Sequence, residues 1–226
     1  AYYVDWNSYT FRDLADNPLE PNRGQPDPLY GDAYFRISMA GLDFGDAPDP
    51  SYPTLLASDG ARHVILPDFY LGEGVTYEVD ANANDPMDDG VVFETGLLSK
   101  PGATNYIGFT VTASFPEAQP GDPPPDGYLD AWIDFGGDGT WDAGDKIEVY
   151  TQYDETSGPG GDHYTSVDSI PLVEGDNQFY LVVPADNPEV TTHGRFRFSS
   201  TGGLTVYGEA DDGEVEDYEY GIVSAL

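Results

Sequence analysis

The chain has 226 residues, with 42 acidic against 8 basic side chains and a formal net charge of −34. Such a charge repels nucleic-acid phosphate and anionic lipid, so neither is an expected partner. The absence of cysteine excludes a disulfide framework, thiolate metal sites and cysteine catalysis. No apolar run reaches the length of a membrane span, so direct membrane insertion is not expected.

In chain order, Ala1–Leu14 comes first and carries Tyr2, Tyr3, Val4, Trp6, Tyr9 and Phe11. It opens without a signal-peptide pattern, as a mature product or a trimmed chain would. Asn17–Asp32 follows with four prolines and little regular pattern. An aromatic, strand-capable arm on a proline-rich connector suits pairing with a neighbouring subunit's sheet edge. Tyr3, Val4, Trp6, Tyr9 and Phe11 are the candidate assembly residues, and a homo-oligomer or polymer is the expected partner. The alternative is an arm folded back on its own domain. Residues 1–41 thus form one region and 42–226 the main β domain.

Within and around that domain, short runs of aromatic and β-branched residues alternate with polar ones between Gly, Pro, Asp and Asn clusters. Expected strands are Tyr34–Ala40, Val75–Val79, Val91–Thr95, Tyr106–Phe115, Tyr128–Phe135, Lys146–Tyr153, Ser166–Leu172, Gln178–Val183, Gly194–Ser200 and Val215–Val223. That spacing predicts an all-β antiparallel sandwich, jelly-roll or immunoglobulin-like, with an extended N-terminal arm. Ile107, Phe109, Val111 and Ala113 fall on one face of their strand. In Gly194–Ser200, Phe196 and Phe198 point inward, and Arg195 and Arg197 point out toward carboxylates on a neighbouring strand or loop. Glu117–Asp126 and Ser157–Asp162 read as loops.

Asp134–Asp145, DFGGDGTWDAGD, has nearly the spacing of a loop that wraps a calcium ion. Asp134, Asp138, Thr140, Asp142 and Asp145 are the candidate ligands. Gly136 replaces the usual Asp or Asn, Asp145 replaces the usual bidentate Glu, and the flanks are strand-like. The alternative is a metal-free Asp/Gly hairpin turn. A second calcium site is expected from Asp88 or Asp89 with Asp212 and Glu214; the alternative there is a salt-bridge cluster with Arg62, Arg195 or Arg197. If Glu214 and Glu216 face one side of their strand, Val215 and Asp217 face the other, and some carboxylates must be compensated inside. His63, His163 and His193 have no metal-hydrolase spacing, and no nucleophile elbow or phosphate loop is present, so no enzyme activity is expected.

Several blocks occur in a telling order: DFGDAPDPSYPT from Asp43, GARHVI from Gly60, DPMDDGV from Asp85, WIDFGGDGTWDAGD, RFRFSS from Arg195, and GEVEDY from Gly213. Together they resemble the GEVED domain, a β-rich module of secreted and surface-associated bacterial proteins, from about Leu42 to Val223. Similar modules tend to have Asn where this chain has Gly136. The resemblance implies an extracellular, noncatalytic domain at the cell surface. With the arm, it leads to the expectation of a calcium-stabilised subunit of a fibre or surface layer. A carbohydrate-binding or adhesion module, with glycans stacked on Tyr70, Tyr153 or Trp141, is the alternative.

Overall fold

The computed structural model describes residues 2–5, 10–13, 41–81, 86–94, 98–100, 106–117, 125–184 and 188–224. Two compact units divide the chain, Ala1–Met39 and Ala40–Leu226. In the first, β1 (Tyr2–Asp5) and β2 (Thr10–Asp13) pair antiparallel, with Tyr3 opposite Arg12 and Val4 opposite Phe11. The expected arm is therefore a hairpin over these residues. Trp6, Tyr9 and the expected strand Tyr34–Ala40 lie outside the described residues.

The second unit contains β3 (Leu42–Phe44), β4 (Arg62–Val64), β5 (Tyr70–Leu71), β6 (Val91–Phe93), β7 (Leu98–Lys100), β8 (Tyr106–Ser114) and β9 (Tyr128–Ile133). These are followed by β10 (Val149–Asp154), β11 (Gly158–Tyr164), β12 (Ile170–Pro171), β13 (Gly175–Val182), β14 (Val190–Ser199), β15 (Glu209–Ala210) and β16 (Glu214–Ser224). One sheet runs β11-β10-β13-β8-β5, with β6 also on β8; the other runs β12-β9-β14-β16-β7. Alternation sends Ile107, Phe109, Val111 and Ala113 of β8 inward, as their spacing predicts. There they join Phe179 and Leu181 of β13, Leu129 and Ala131 of β9, and Phe196 and Phe198 of β14 in one core. The antiparallel sandwich read from the sequence is the fold.

Several elements differ from expectation. Val75–Val79 is not a strand; only Glu78 makes an isolated bridge, to Leu42. Ser166–Leu172 reduces to the two residues of β12. Ser157–Asp162, read as a loop, falls largely in β11, an edge strand on β10 that accommodates its glycines through a register shift at Tyr150 and Gln152. The largest departure is a third layer, the three-stranded sheet β15-β4-β3. Its short strands carry too few residues to show a period. It covers the outward face of the β9–β14–β16 sheet, where Arg195 and Arg197 become wholly buried.

Candidate functional site

The chemistry-bearing residues concentrate around β16, whose first residues complete the GEVEDY segment. Each position ties the strand to a different part of the fold. Gly213, at φ +92°, turns the chain so tightly that a Cβ would stand 1.8 Å from the Phe198 carbonyl oxygen. Glu214, packed against the sandwich interior, accepts the Leu71 N–H at 2.5 Å. Val215 donates its N–H to Asp43 Oδ2 at 2.6 Å. Glu216 Oε1 accepts the N–H groups of Asp89, 3.0 Å, and Gly90, 2.7 Å. Asp217 grips Arg195 through both oxygens, at 2.8 and 2.7 Å, and also accepts the Ala47 N–H. The Tyr218 hydroxyl accepts the Val91 N–H at 3.1 Å. The side chains of Glu214, Glu216 and Tyr218 thus fasten the segments at Leu71 and 89–91, while the Asp217 side chain and the Val215 N–H reach Arg195 and the 43–47 segment on the third-layer side. The strand's alternation makes it a two-sided clamp.

The clamp also protects an edge. The N–H groups of Val215 and Asp217 meet the carboxylates of Asp43 and Asp88 rather than another strand. Side-chain oxygens therefore occupy donors that an open edge would offer to a second chain.

The two arginines behave differently from each other. Arg195 pairs with the adjacent-strand Asp217, as expected, and its Nη1 also donates to the carbonyls of Pro53 and Val206. Arg197 meets no carboxylate among its hydrogen-bond partners. Its Nε donates to His63 Nε2 at 3.0 Å, and Nη1 and Nη2 donate to the carbonyls of Thr205, Tyr207, Arg62 and Gly208. All five N–H groups are thereby used, and they hold the chain on either side of Val206 to β4. Burial, then Arg195, pulls the Arg197 pKa down to about 9, so it stays charged at neutral pH. Since Nε–H of Arg197 is a donor, His63 Nε2 accepts and Nδ1–H donates to the Asp212 carbonyl at 2.7 Å. Burial and Arg197 hold His63 well below its ordinary pKa, as the neutral ring requires.

The 134–145 loop is built on internal hydrogen bonds. Buried Asp134 accepts the N–H groups of Gly137, Asp138 and Gly139 and the Tyr52 hydroxyl, the last at 2.7 Å. These four bonds use all the acceptor positions of a carboxylate. Asp138 Oδ1 accepts the N–H and hydroxyl of Thr140, Asp142 Oδ1 accepts the Gly144 N–H, and Asp145 Oδ2 accepts the Asp142 N–H. Burial raises the Asp145 pKa to about 6, with Asp142, Asp134 and Asp138 adding repulsion. The loop thus concentrates negative charge as a cation requires, while Asp134 is committed to the turn. Among the described residues, no group of three or more His, Asp or Glu side chains is arranged to hold a metal ion.

Replacing Asp134 with alanine is therefore expected to cost about 2 kcal/mol whether or not calcium is present, because buried donors lose their acceptor. Urea melts in chelator and in calcium check this; loss confined to calcium would make Asp134 a ligand first.

The other predicted set is only partly assembled. Asp88 and Asp89 lie against β16, but at Glu216 and Asp217. Asp212 instead binds the N–H and hydroxyl of Ser200, at 2.8 and 2.5 Å. Arg62 pairs with Asp59 and Glu209. The residue that sequence reasoning left out of the set is Glu216, although strand alternation had placed it beside Glu214. Of the proposed stacking platforms, Trp141 is buried beneath Tyr52 at a centroid distance of 4.8 Å. Tyr153 packs on the outer sheet face against Tyr106 and Tyr180, with centroids 5.0 and 5.7 Å away.

Carboxyl groups around the clamp carry raised pKa values. Burial, then Asp217, Glu216 and Asp46, pushes Asp88 to about 10. Burial pushes Glu216 to about 8 against the pull of its N–H partners and the nearby Tyr218 hydroxyl, and Glu214 is raised by burial and Glu216. Raised carboxyl pKa values favour folding below the unfolded values and lose that advantage as pH climbs toward the folded ones. Without divalent cations, stability should fall from pH 6 to pH 8 by about 2–5 kcal/mol. His63 acts oppositely, but its cost appears only as pH drops below the ordinary histidine range. Urea midpoints across this window, with Glu216→Gln flattening the slope, are the check.

No helix among the described residues is long and apolar enough to cross a membrane. Comparison with curated proteins and with solved structures gives no match. The family model of the GEVED domain matches residues 128–220, from the start of β9 to Tyr220 in β16, and so includes the 214–218 side of the clamp but not its partners at 43–47, 71 and 88–91. Over that stretch the chain is similar to the GEVED domain.

Proposed function

We propose that this chain is a noncatalytic extracellular structural protein, a calcium-stabilised sandwich that serves as a subunit of a cell-surface fibre or layer. The observation that carries this reading is the use of the GEVEDY polar groups, which fasten layers together inside the fold. Their chemistry is spent on mechanical cohesion. Calcium, when bound, would neutralise charge at the 134–145 loop, with Asp138, Asp142 and Asp145 holding it.

The arm supplies the assembly element. An isolated two-stranded hairpin is marginal in water and gains stability from a further strand. The β1–β2 hairpin therefore suits addition to a neighbouring subunit's sheet, giving head-to-tail contacts that do not close. Deleting residues 1–14 should convert assemblies into monomers while leaving the melting temperature of the main domain unchanged. Electron microscopy and analytical ultracentrifugation check this; filaments or lattices persisting after the deletion would overturn strand donation.

The tyrosine cluster favours a second reading, a carbohydrate-binding or adhesion module. Tyr106, Tyr150, Tyr153 and Tyr180 are half-buried on the outer face of the six-stranded sheet. A glycan array with Tyr153→Ala as control separates the readings.

A further inference from the structure

Asp88 and Glu216 mark the place where the 86–90 segment meets the edge of β16. Their hydrogen bonds are reciprocal: Glu216 Oε1 accepts from Asp89 and Gly90, while Asp88 Oδ2 accepts from Asp217 at 3.1 Å. The crossing therefore brings two carboxylates together, and the hydrogen bonds they accept there come from main-chain N–H groups, with no basic side chain as donor among the described residues. The guanidinium of Arg195 is engaged by Asp217 and two carbonyls. Asp46 and Glu214 add negative charge around the same position. His193 supplies no compensating charge at neutral pH, since burial lowers its pKa.

A second observation points to a missing partner. Glu216 is 0 % exposed, and its Oε2 has no hydrogen-bond partner. Tyr218 lies close enough to influence the carboxylate but does not meet Oε2 in hydrogen-bonding geometry. A buried, unpartnered carboxylate oxygen beside other carboxylates is costly unless positive charge reaches it. Asp46 and Asp88 are half-buried, so the cluster has a solvent side.

We propose that the Asp88–Glu216 crossing, with Asp46 on its solvent side, binds one hard divalent cation of the calcium class. Two carboxylates at the crossing leave the remaining ligands to main-chain carbonyls and water, in keeping with the absence of a three-carboxylate set among the described residues. The affinity expected of such a site is on the order of 10⁻⁴ to 10⁻³ M. The cation would fasten the 86–90 segment to β16 at the same crossing as the hydrogen bonds. This site is separate from the 134–145 loop and does not depend on arm-mediated assembly.

The test is thermal unfolding in chelator and in millimolar calcium chloride, using the full chain and an Asp142→Asn/Asp145→Asn loop variant. Calcium should raise the melting temperature of the loop variant by about 2–4 °C at a concentration near ten times Kd. Adding Glu216→Gln should abolish that shift, and Asp88→Asn provides the second variant if Glu216→Gln does not fold. A shift abolished by the loop substitutions alone would leave the loop reading intact and overturn this site. A shift that survives both Glu216→Gln and Asp88→Asn would also overturn it. No calcium response in any form, with Glu216→Gln more stable than the parent in chelator, would assign compensation to protons and overturn it as well.

Discussion

Asp217→Ala is expected to destabilise the domain by about 3–5 kcal/mol, the cost of removing one partner from a buried ion pair. Arg195 and the Asp217 carboxylate are both fully buried, with side-chain exposures of 0 %. The bidentate contact leaves the guanidinium little freedom to reach water once the carboxylate is gone. The Ala47 N–H loses its acceptor in the same substitution. Chemical denaturation at neutral pH measures the effect, and a loss below about 1 kcal/mol would contradict the clamp. The double variant Arg195→Met/Asp217→Leu should recover much of the loss, because an apolar pair replaces an uncompensated charge. That recovery distinguishes electrostatic failure from general disruption of β16.

Gly213→Ala is expected to cost at least about 3 kcal/mol, combining left-handed backbone strain with steric overlap. The new Cβ would sit 1.8 Å from the backbone oxygen of Phe198, which cannot rotate away like a flexible side chain. Relief requires moving β16 away from β14 where Glu214 opposes Phe198. Gly203→Ala is the matched control: φ is +69°, but no atom lies within 4 Å of the added carbon. It should cost only about 1–2 kcal/mol. Equal losses at both positions would mean that conformation, not the close approach to β14, governs Gly213.

Recognition of the sandwich rested on local periodicity. In β8 every second residue is apolar and faces the core, and burial follows that alternation except at Gly108, which lies beneath the Glu94 side chain. Strands of two or three residues gave no such signal. Leu42–Phe44 and Arg62–Val64 gain order from long-range pairing and from the buried arginines beneath them. Gly158–Tyr164 looked loop-like because glycine opposes strand propensity, yet its partner β10 supplies a ladder that tolerates the bulge.

The candidate site was legible as composition but not as grouping. The alternation of Glu214 and Glu216 against Val215 and Asp217 was readable, as was the outward direction of Arg195 and Arg197. Their partners come from distant segments: Asp43, Asp88, His63 and the 205–208 backbone. Asp212 and Glu214 are close in sequence but diverge, one to Ser200 and the other to Leu71.

By itself, the sequence determined the all-β class, the inward faces of the long strands, the acidic character and the GEVED resemblance, since these depend on residue identity and short-range period. Only the tertiary structure decided that the outward arginines are buried and that Asp134 is committed to its turn. It also decided that Glu216, rather than Asp212, binds the 86–90 segment. Those outcomes depend on which distant backbone segment covers each polar side chain, information that no local period contains.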